Sequence, residues 1–187
     1  MIYIKDDFLD QSLIDTLNSD KTIFQRVDTP GKSFWVKTPS DDFLRLICNK
    51  ISSIENCYIN PILAFFREAK EGQDNDWRIH NDGIIEGQKP DRAAVLYISK
   101  ENEEGLNGTA FWEHKLHGDR LKEISPKRHD ELLNEDSNDL DKWILKSVIG
   151  HKQNRLISYP CNYFHSKYPN EFVNSRIVFV IFYKIEK

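Results

Sequence analysis

In the stretch "WRIHNDG", His80 and Asp82 stand two positions apart in a run that reads as a strand. Successive strand residues face opposite ways, so this imidazole and this carboxylate would point together, with Asn81 turned away. Two ligands hold a transition metal weakly, and a third must come from elsewhere in the chain. "YPCNYFHSKYP" offers His165, after the strand-like run "NRLISYP" and before a turn at Pro169. Two imidazoles and one carboxylate on one face of an octahedron leave the other face open, which is the arrangement of non-haem Fe(II) sites. Such a site stays net positive. It therefore favours an anionic co-substrate, and its vacant positions admit that co-substrate and O2.

The H-x-D spacing recurs at His117 and Asp119 in "HKLHGD", so spacing alone decides nothing. There His114 and His117 would face opposite ways in a strand, and Gly118 would interrupt a helix. This second cluster reads as a solvated loop, with His114 a candidate rim residue. Arg176 is more pointed. Eleven positions after His165 it opens "RIVFVIFYKI", with no acidic residue beside it. A guanidinium carried inward by that strand is costly unless a carboxylate answers it, and a bidentate carboxylate would. Tyr97 in "AAVLYIS" is placed to offer its hydroxyl to the same carboxylate. Taken singly, each residue has a plainer reading. His165 sits beside Phe164 and Tyr168 as a packed ring would, Arg176 could end a strand at the surface, and Tyr97, Trp77 and Trp112 could be core.

The elements that must position these residues divide the chain in two. Up to about residue 58 the pattern is mostly helical: Leu9, Leu13 and Leu17 lie four apart behind a possible cap at Asp10, and Phe43, Leu46, Ile47, Ile51 and Ile54 form one stripe after Ser40. From residue 61 come short runs rich in β-branched and aromatic residues: "PILAFFREA", "WRIH", "AAVLYIS", "GTAFWEH", "NRLISYP" and "RIVFVIFYKI". Turn signals such as "EGQDND", "NDG", "KPD" and "EEGLNG" separate them. An insertion at about 120–149 interrupts the strands. Its Leu140, Trp143, Ile144 and Val148 stand at helical spacing, with Gly150 as the stop, and it is a candidate lid. Helices followed by many short strands imply a mainly β (α+β) sandwich or barrel with helices on one outer face. The last strand is apolar on both faces and needs that cover.

Bulk properties bound the rest. The 187 residues suit a single domain over 1–187. A net charge of −4 argues against nucleic acid as a partner. No apolar run is long enough to span a bilayer, and the charges in "MIYIKDD" stand where a signal peptide needs its apolar core. Cys48, Cys57 and Cys161 form no paired framework, as expected in a reducing cytoplasm. The oligomeric state is undetermined by the sequence.

Taken in order, H-x-D, a strand, "GTAF", a distal His and then an Arg resemble the Fe(II)/2-oxoglutarate-dependent oxygenase superfamily, nearest its prolyl-hydroxylase-like branch. "IYIKDDFLDQSLIDTL" resembles the opening of that branch, with its D-x-FL before a helix. "NGTAFWEH" resembles its G-G-x-T-x-F strand, "NRLISYPCNYFHSKYP" its G-R-x-x-x-F-x-x-x-x-x-H segment, and "SRIVFVIFYK" its closing strand. The likeness runs from residue 1 to 185, and residues 114–150 match least. It implies a double-stranded β-helix (jelly roll) with N-terminal helices packed on one sheet. It also implies His80, Asp82 and His165 as ligands of catalytic Fe(II), Arg176 as anchor of the far carboxylate of 2-oxoglutarate, and Tyr97 as its helper. The expected reaction consumes 2-oxoglutarate and O2, with ascorbate as a possible reductant. It hydroxylates an unactivated C–H bond and releases succinate and CO2.

The departures are informative. Nucleic-acid demethylases of the superfamily carry a second Arg six residues after the first, where this chain has Phe182. Collagen-type prolyl hydroxylases have Lys in place of Arg176. Where many members have Ser or Thr, here stand Val178 and Val180, and "GTAF" has one Gly where two are common. The substrate stays open between a protein side chain, an amino acid and a small metabolite. Two rivals remain: a non-catalytic jelly-roll binding module with a vestigial metal pocket, and a cupin-type metalloenzyme, which the missing H-x-H pair disfavours.

Overall fold

The computed structural model describes residues 1–20, 22–29, 32–69, 78–100, 108–123, 125–168 and 175–186. Trp77, Pro169, the turn at 71–76 and most of "EEGLNG" lie outside them. Ten strands form two antiparallel sheets. The large sheet holds β1 (Tyr3–Lys5), β8 (Leu156–Pro160), β5 (Arg92–Tyr97), β10 (Arg176–Glu186), β4 (Tyr58–Ala69), β3 (Lys32–Lys37) and β2 (Gln25–Thr29), in that spatial order. The small sheet is β7 (Trp143–Gly150), β6 (Gly108–His114) and β9 (His165–Tyr168).

Alternation along β10 divides the interior. Phe179, Ile181 and Tyr183 face helices α1 (Gln11–Ser19) and α2 (Asp41–Glu55), meeting Ile14, Phe43, Ile47 and Ile51. Val178, Val180 and Phe182 face the small sheet, with Val95, Tyr97, Phe111, Ile157 and Tyr159. The expected helical cover is present. Phe43 touches Phe66 and Phe179 with ring centroids 5.2 and 5.1 Å apart, contacts worth about 0.5–1.5 kcal/mol each beyond burial. Ser40 caps α2 by accepting from the Phe43 amide at 3.3 Å, and Asp41 and Asp42 complement the helix dipole. The chain start is tied down by the segment before β8. Asp6 pairs with Arg155 (2.6 Å), and the Asn154 side chain accepts from the Leu9 amide (2.8 Å) and donates to its carbonyl (2.7 Å).

Two expectations fail. Gln25–Thr29 and Lys32–Lys37 pair as β2 and β3, so the first 58 residues are not simply helical. β2, at the sheet edge, carries one apolar residue, Val27, and β3 runs Phe34, Trp35 and Val36 together, so neither shows a clear period. In the insertion only α3 (Pro126–Asn134) and two short 3-10 turns are helical. Trp143–Gly150, read as a helix, is β7, and Gly150 pairs with Gly108 instead of stopping a helix. Short apolar runs satisfy both periods, and here a register shift between Phe111 and Trp112 further blurs the alternation. Within the insertion, α3 packs on the body of the fold. Its Leu132 is fully buried with Ile79, Trp143 and Phe164.

Candidate metal centre

Among the described residues, Arg78–His80 form no extended ladder, only a single bridge at His80. The His80 amide donates to the His165 carbonyl at 3.0 Å, and the His165 amide returns the bond at 2.8 Å. Directly opposed residues of an antiparallel pair share a face, so the two imidazoles lie side by side, centroids 4.5 Å apart. Two residues on, the Asp82 amide donates to the Cys161 carbonyl (2.8 Å), which fixes the carboxylate beside them. His165 Nε2 lies 3.3 Å from Asp82 Oδ2 and His80 Nε2 lies 3.8 Å from Asp82 Oδ1. One donor atom from each residue falls within 4.8 Å of the others, and no other such cluster occurs among the described residues.

The same device sets both rings. His80 Nδ1 donates to the Arg78 carbonyl (2.8 Å) and His165 Nδ1 to the Tyr163 carbonyl (3.0 Å). A carbonyl only accepts, so the proton sits on Nδ1 and each Nε2 lone pair is left facing Asp82. Desolvation, then the neighbouring His165, lowers the His80 pKa from 6.5 to about 4, so this ring is neutral at pH 7. Ligand atoms on one octahedral face stand about 3 Å apart for bonds near 2.1 Å. The donor set therefore fits a divalent transition metal with little movement.

Arg176 is buried at the start of β10, its guanidinium carbon 5.2 Å from the centroid of the Tyr97 ring. The Tyr97 hydroxyl is shared with Thr109 Oγ1 of the "GTAF" strand at 2.8 Å, and His151 stacks on the ring at 4.9 Å. Tyr97 thus supports Arg176, and its own hydroxyl is already engaged. Tyr159, which the sequence reading passed over, lies 4.8 Å from the His165 ring and within reach of the charges of Asp82 and Arg176. Burial pushes its phenol well above the ordinary range. Its signal was the alternation Ile157, Tyr159 in "LISYP". Arg67 was missed as well. It shares an inner-facing β4 register with Phe65, packs on Phe34 at 4.6 Å, and contributes to holding His80 neutral.

The second cluster separates. His114 is buried rather than solvated and lies at no rim: its Nε2 bonds Asp136 at 3.2 Å and its ring meets Trp143 edge-on. His117 stacks on it, while Asp119 turns away to pair with Arg120 at 2.9 Å. Trp112 bonds Ser166 Oγ (2.9 Å) and packs toward Leu132 and Phe164 as core.

No family model and no curated relative matches the sequence. Solved structures do. SnoK, a non-haem α-ketoglutarate-dependent carbocyclase from nogalamycin biosynthesis, superposes with TM-score 0.67 at 10% identity, over 99% of this chain and 79% of that one. HygX from Streptomyces hygroscopicus, solved with nickel and 2-oxoglutarate bound, gives 0.65 at 11%, over 98% and 82%. A prolyl-4-hydroxylase from Pseudomonas putida gives 0.54 at 12%, over 100% and 93%. The chain has the jelly-roll fold of these oxygenases. In that fold the inner faces of β4, β5, β8 and β10 oppose the small sheet; His165 sits on β9 of the small sheet with His80 bridged to it, and Asp82 is tied to Cys161 just after β8.

Proposed function

We propose that this chain is an Fe(II)- and 2-oxoglutarate-dependent dioxygenase: substrate, 2-oxoglutarate and O2 become hydroxylated substrate, succinate and CO2. The observation that carries the reading is the meeting of His80, Asp82 and His165, drawn from segments more than eighty residues apart, inside a fold shared with HygX and SnoK. HygX has also been solved with iron bound. His80, Asp82 and His165 would hold Fe(II) on one face. When bound, the metal would activate O2, the oxidant, with two electrons drawn from the 2-oxo acid as it loses CO2, chemistry that no side chain here supplies.

The protein's own part is placement and exclusion of water. Arg176 takes the far carboxylate in a site shielded by Val95, Ile157 and Val178, where a charge-assisted pair is strong. Tyr97 beneath the guanidinium fixes its orientation. Both histidines keep their lone pairs directed inward through the backbone carbonyls behind them. The whole chain serves as one catalytic unit, the helices bracing the large sheet. No described helix is long and apolar enough to cross a membrane. All three cysteines are unpaired, as suits the cytoplasm. The substrate is a small molecule or a protein side chain. HygX has been solved with hygromycin B bound, whereas another fold neighbour is a prolyl hydroxylase.

Succinate release from 2-oxoglutarate with Fe(II), O2 and ascorbate tests the reading. The wild type should turn over slowly even without its substrate, and His80→Ala should fall to background. Metal-dependent binding of 2-oxoglutarate with no succinate under any substrate would instead identify a binding module. Absence of that binding would end the proposal.

A further inference from the structure

We infer that the Tyr159 phenol is a further co-substrate-binding group, donating a hydrogen bond to 2-oxoglutarate between the candidate metal ligands and Arg176. The inference rests on the oxygenase reading. Three tyrosines are almost wholly buried: Tyr97, Tyr159 and Tyr183. Two have engaged hydroxyls, Tyr97 with Thr109 at 2.8 Å and Tyr183 with Ser158 at 2.7 Å and Glu55 at 2.8 Å. Tyr159 is 2% exposed, and no described residue hydrogen-bonds its hydroxyl. The hydroxyl keeps a little accessible surface within an otherwise enclosed side chain, so it is a donor that a ligand can still reach.

Its surroundings indicate what partner. On β8, Ile157 and Tyr159 face the inner cluster, while Leu156 and Ser158 face the helix side. The ring lies 4.8 Å from His165 and 5.2 Å from Phe111, opposite the small Ala93 of β5. Asp82 and Arg176, at the two ends of the proposed co-substrate, both act on the phenol electrostatically. A neutral phenol offers one O–H, and a carboxylate or keto oxygen is the acceptor a 2-oxo acid would present there. The segment this strand resembles, G-R-x-x-x-F, carries Phe at the position of Tyr159. Here the chain carries a polar atom that no described residue engages.

Tyr159→Phe removes that atom alone. Titration of 2-oxoglutarate into Mn(II)-loaded protein without O2, by calorimetry, should show about tenfold weaker binding than wild type. Mn(II) affinity without 2-oxoglutarate and the thermal midpoint of the ligand-free protein should be unchanged. Equal 2-oxoglutarate affinity in the two proteins overturns the inference and leaves the oxygenase reading standing. Weaker binding accompanied by a lowered ligand-free midpoint or weaker Mn(II) binding also overturns it, since the hydroxyl would then be structural. A wild type that binds no 2-oxoglutarate removes both.

Discussion

The two faces of the large sheet each bury an arginine, and they treat it differently. On the helix side, Arg92 of β5 meets Glu55 from the end of α2 at 2.7 Å, both side chains under 10% exposed. Ser158 and Tyr183 each bond the same carboxylate, and Arg92 also donates to the Ser158 carbonyl at 2.9 Å. Donors and acceptors close on one another there. On the inner side, Arg176 lies over Tyr97, and a short distance away the His80, Asp82 and His165 donor atoms face each other across 3.3–4.8 Å. Lone pairs aimed at one point do not satisfy one another. The helix-side cluster closes on itself, and the inner cluster is the one proposed to take a metal and a co-substrate.

The contrast can be broken by experiment. Glu55→Ala should have the largest effect, about 3–5 kcal/mol of stability, because it strands a buried guanidinium. Urea denaturation would show this, and metal affinity of the molecules that remain folded should not change. Arg176→Met should do the reverse: thermal stability near wild type, with 2-oxoglutarate binding weakened roughly 30- to 150-fold, about 2–3 kcal/mol. If both variants lose stability alike, the two clusters are the same kind of object and the comparison fails.

The smallest effect concerns pH. His80 in the folded, metal-free protein titrates near 4 rather than 6.5. Between those values the unfolded chain binds the extra proton, so stability is full above about 6.5 and is lost as pH falls toward 4. Unfolding in the presence of a chelator should show about 1–2 kcal/mol less stability at pH 5 than at pH 7 from this group. His80→Asn should flatten that difference.

Much of this was legible in the sequence, for identifiable reasons. That His80, Asp82 and His165 would come together could be expected from residue type and order along the chain, although Arg78–His80 make only a bridge. Arg176 stood out as a charge opening an apolar strand. The helix stripe of α2 and the doubly apolar β10 were readable because long, regular patterns leave one interpretation. β7 was not, since Trp143, Ile144 and Val148 suit helix and strand alike, and only pairing with β6 decides between them. His114 looked solvated because its partner Asp136 lies 22 residues away. Tyr159 was overlooked because tyrosine in an apolar strand is ordinarily core. Its distinction lies in a hydroxyl that no described residue engages, which no sequence displays.

The wedge of Ile79, Leu132, Trp143 and Phe164 has one more consequence. Ile79 precedes His80 and Phe164 precedes His165, and the Ser137 hydroxyl donates to the Ile79 carbonyl at 2.7 Å. Both histidines are therefore splinted from behind by greasy residues indifferent to whether an ion is present. The proposed iron socket should therefore keep its shape with or without the ion, and filling it should demand no refolding.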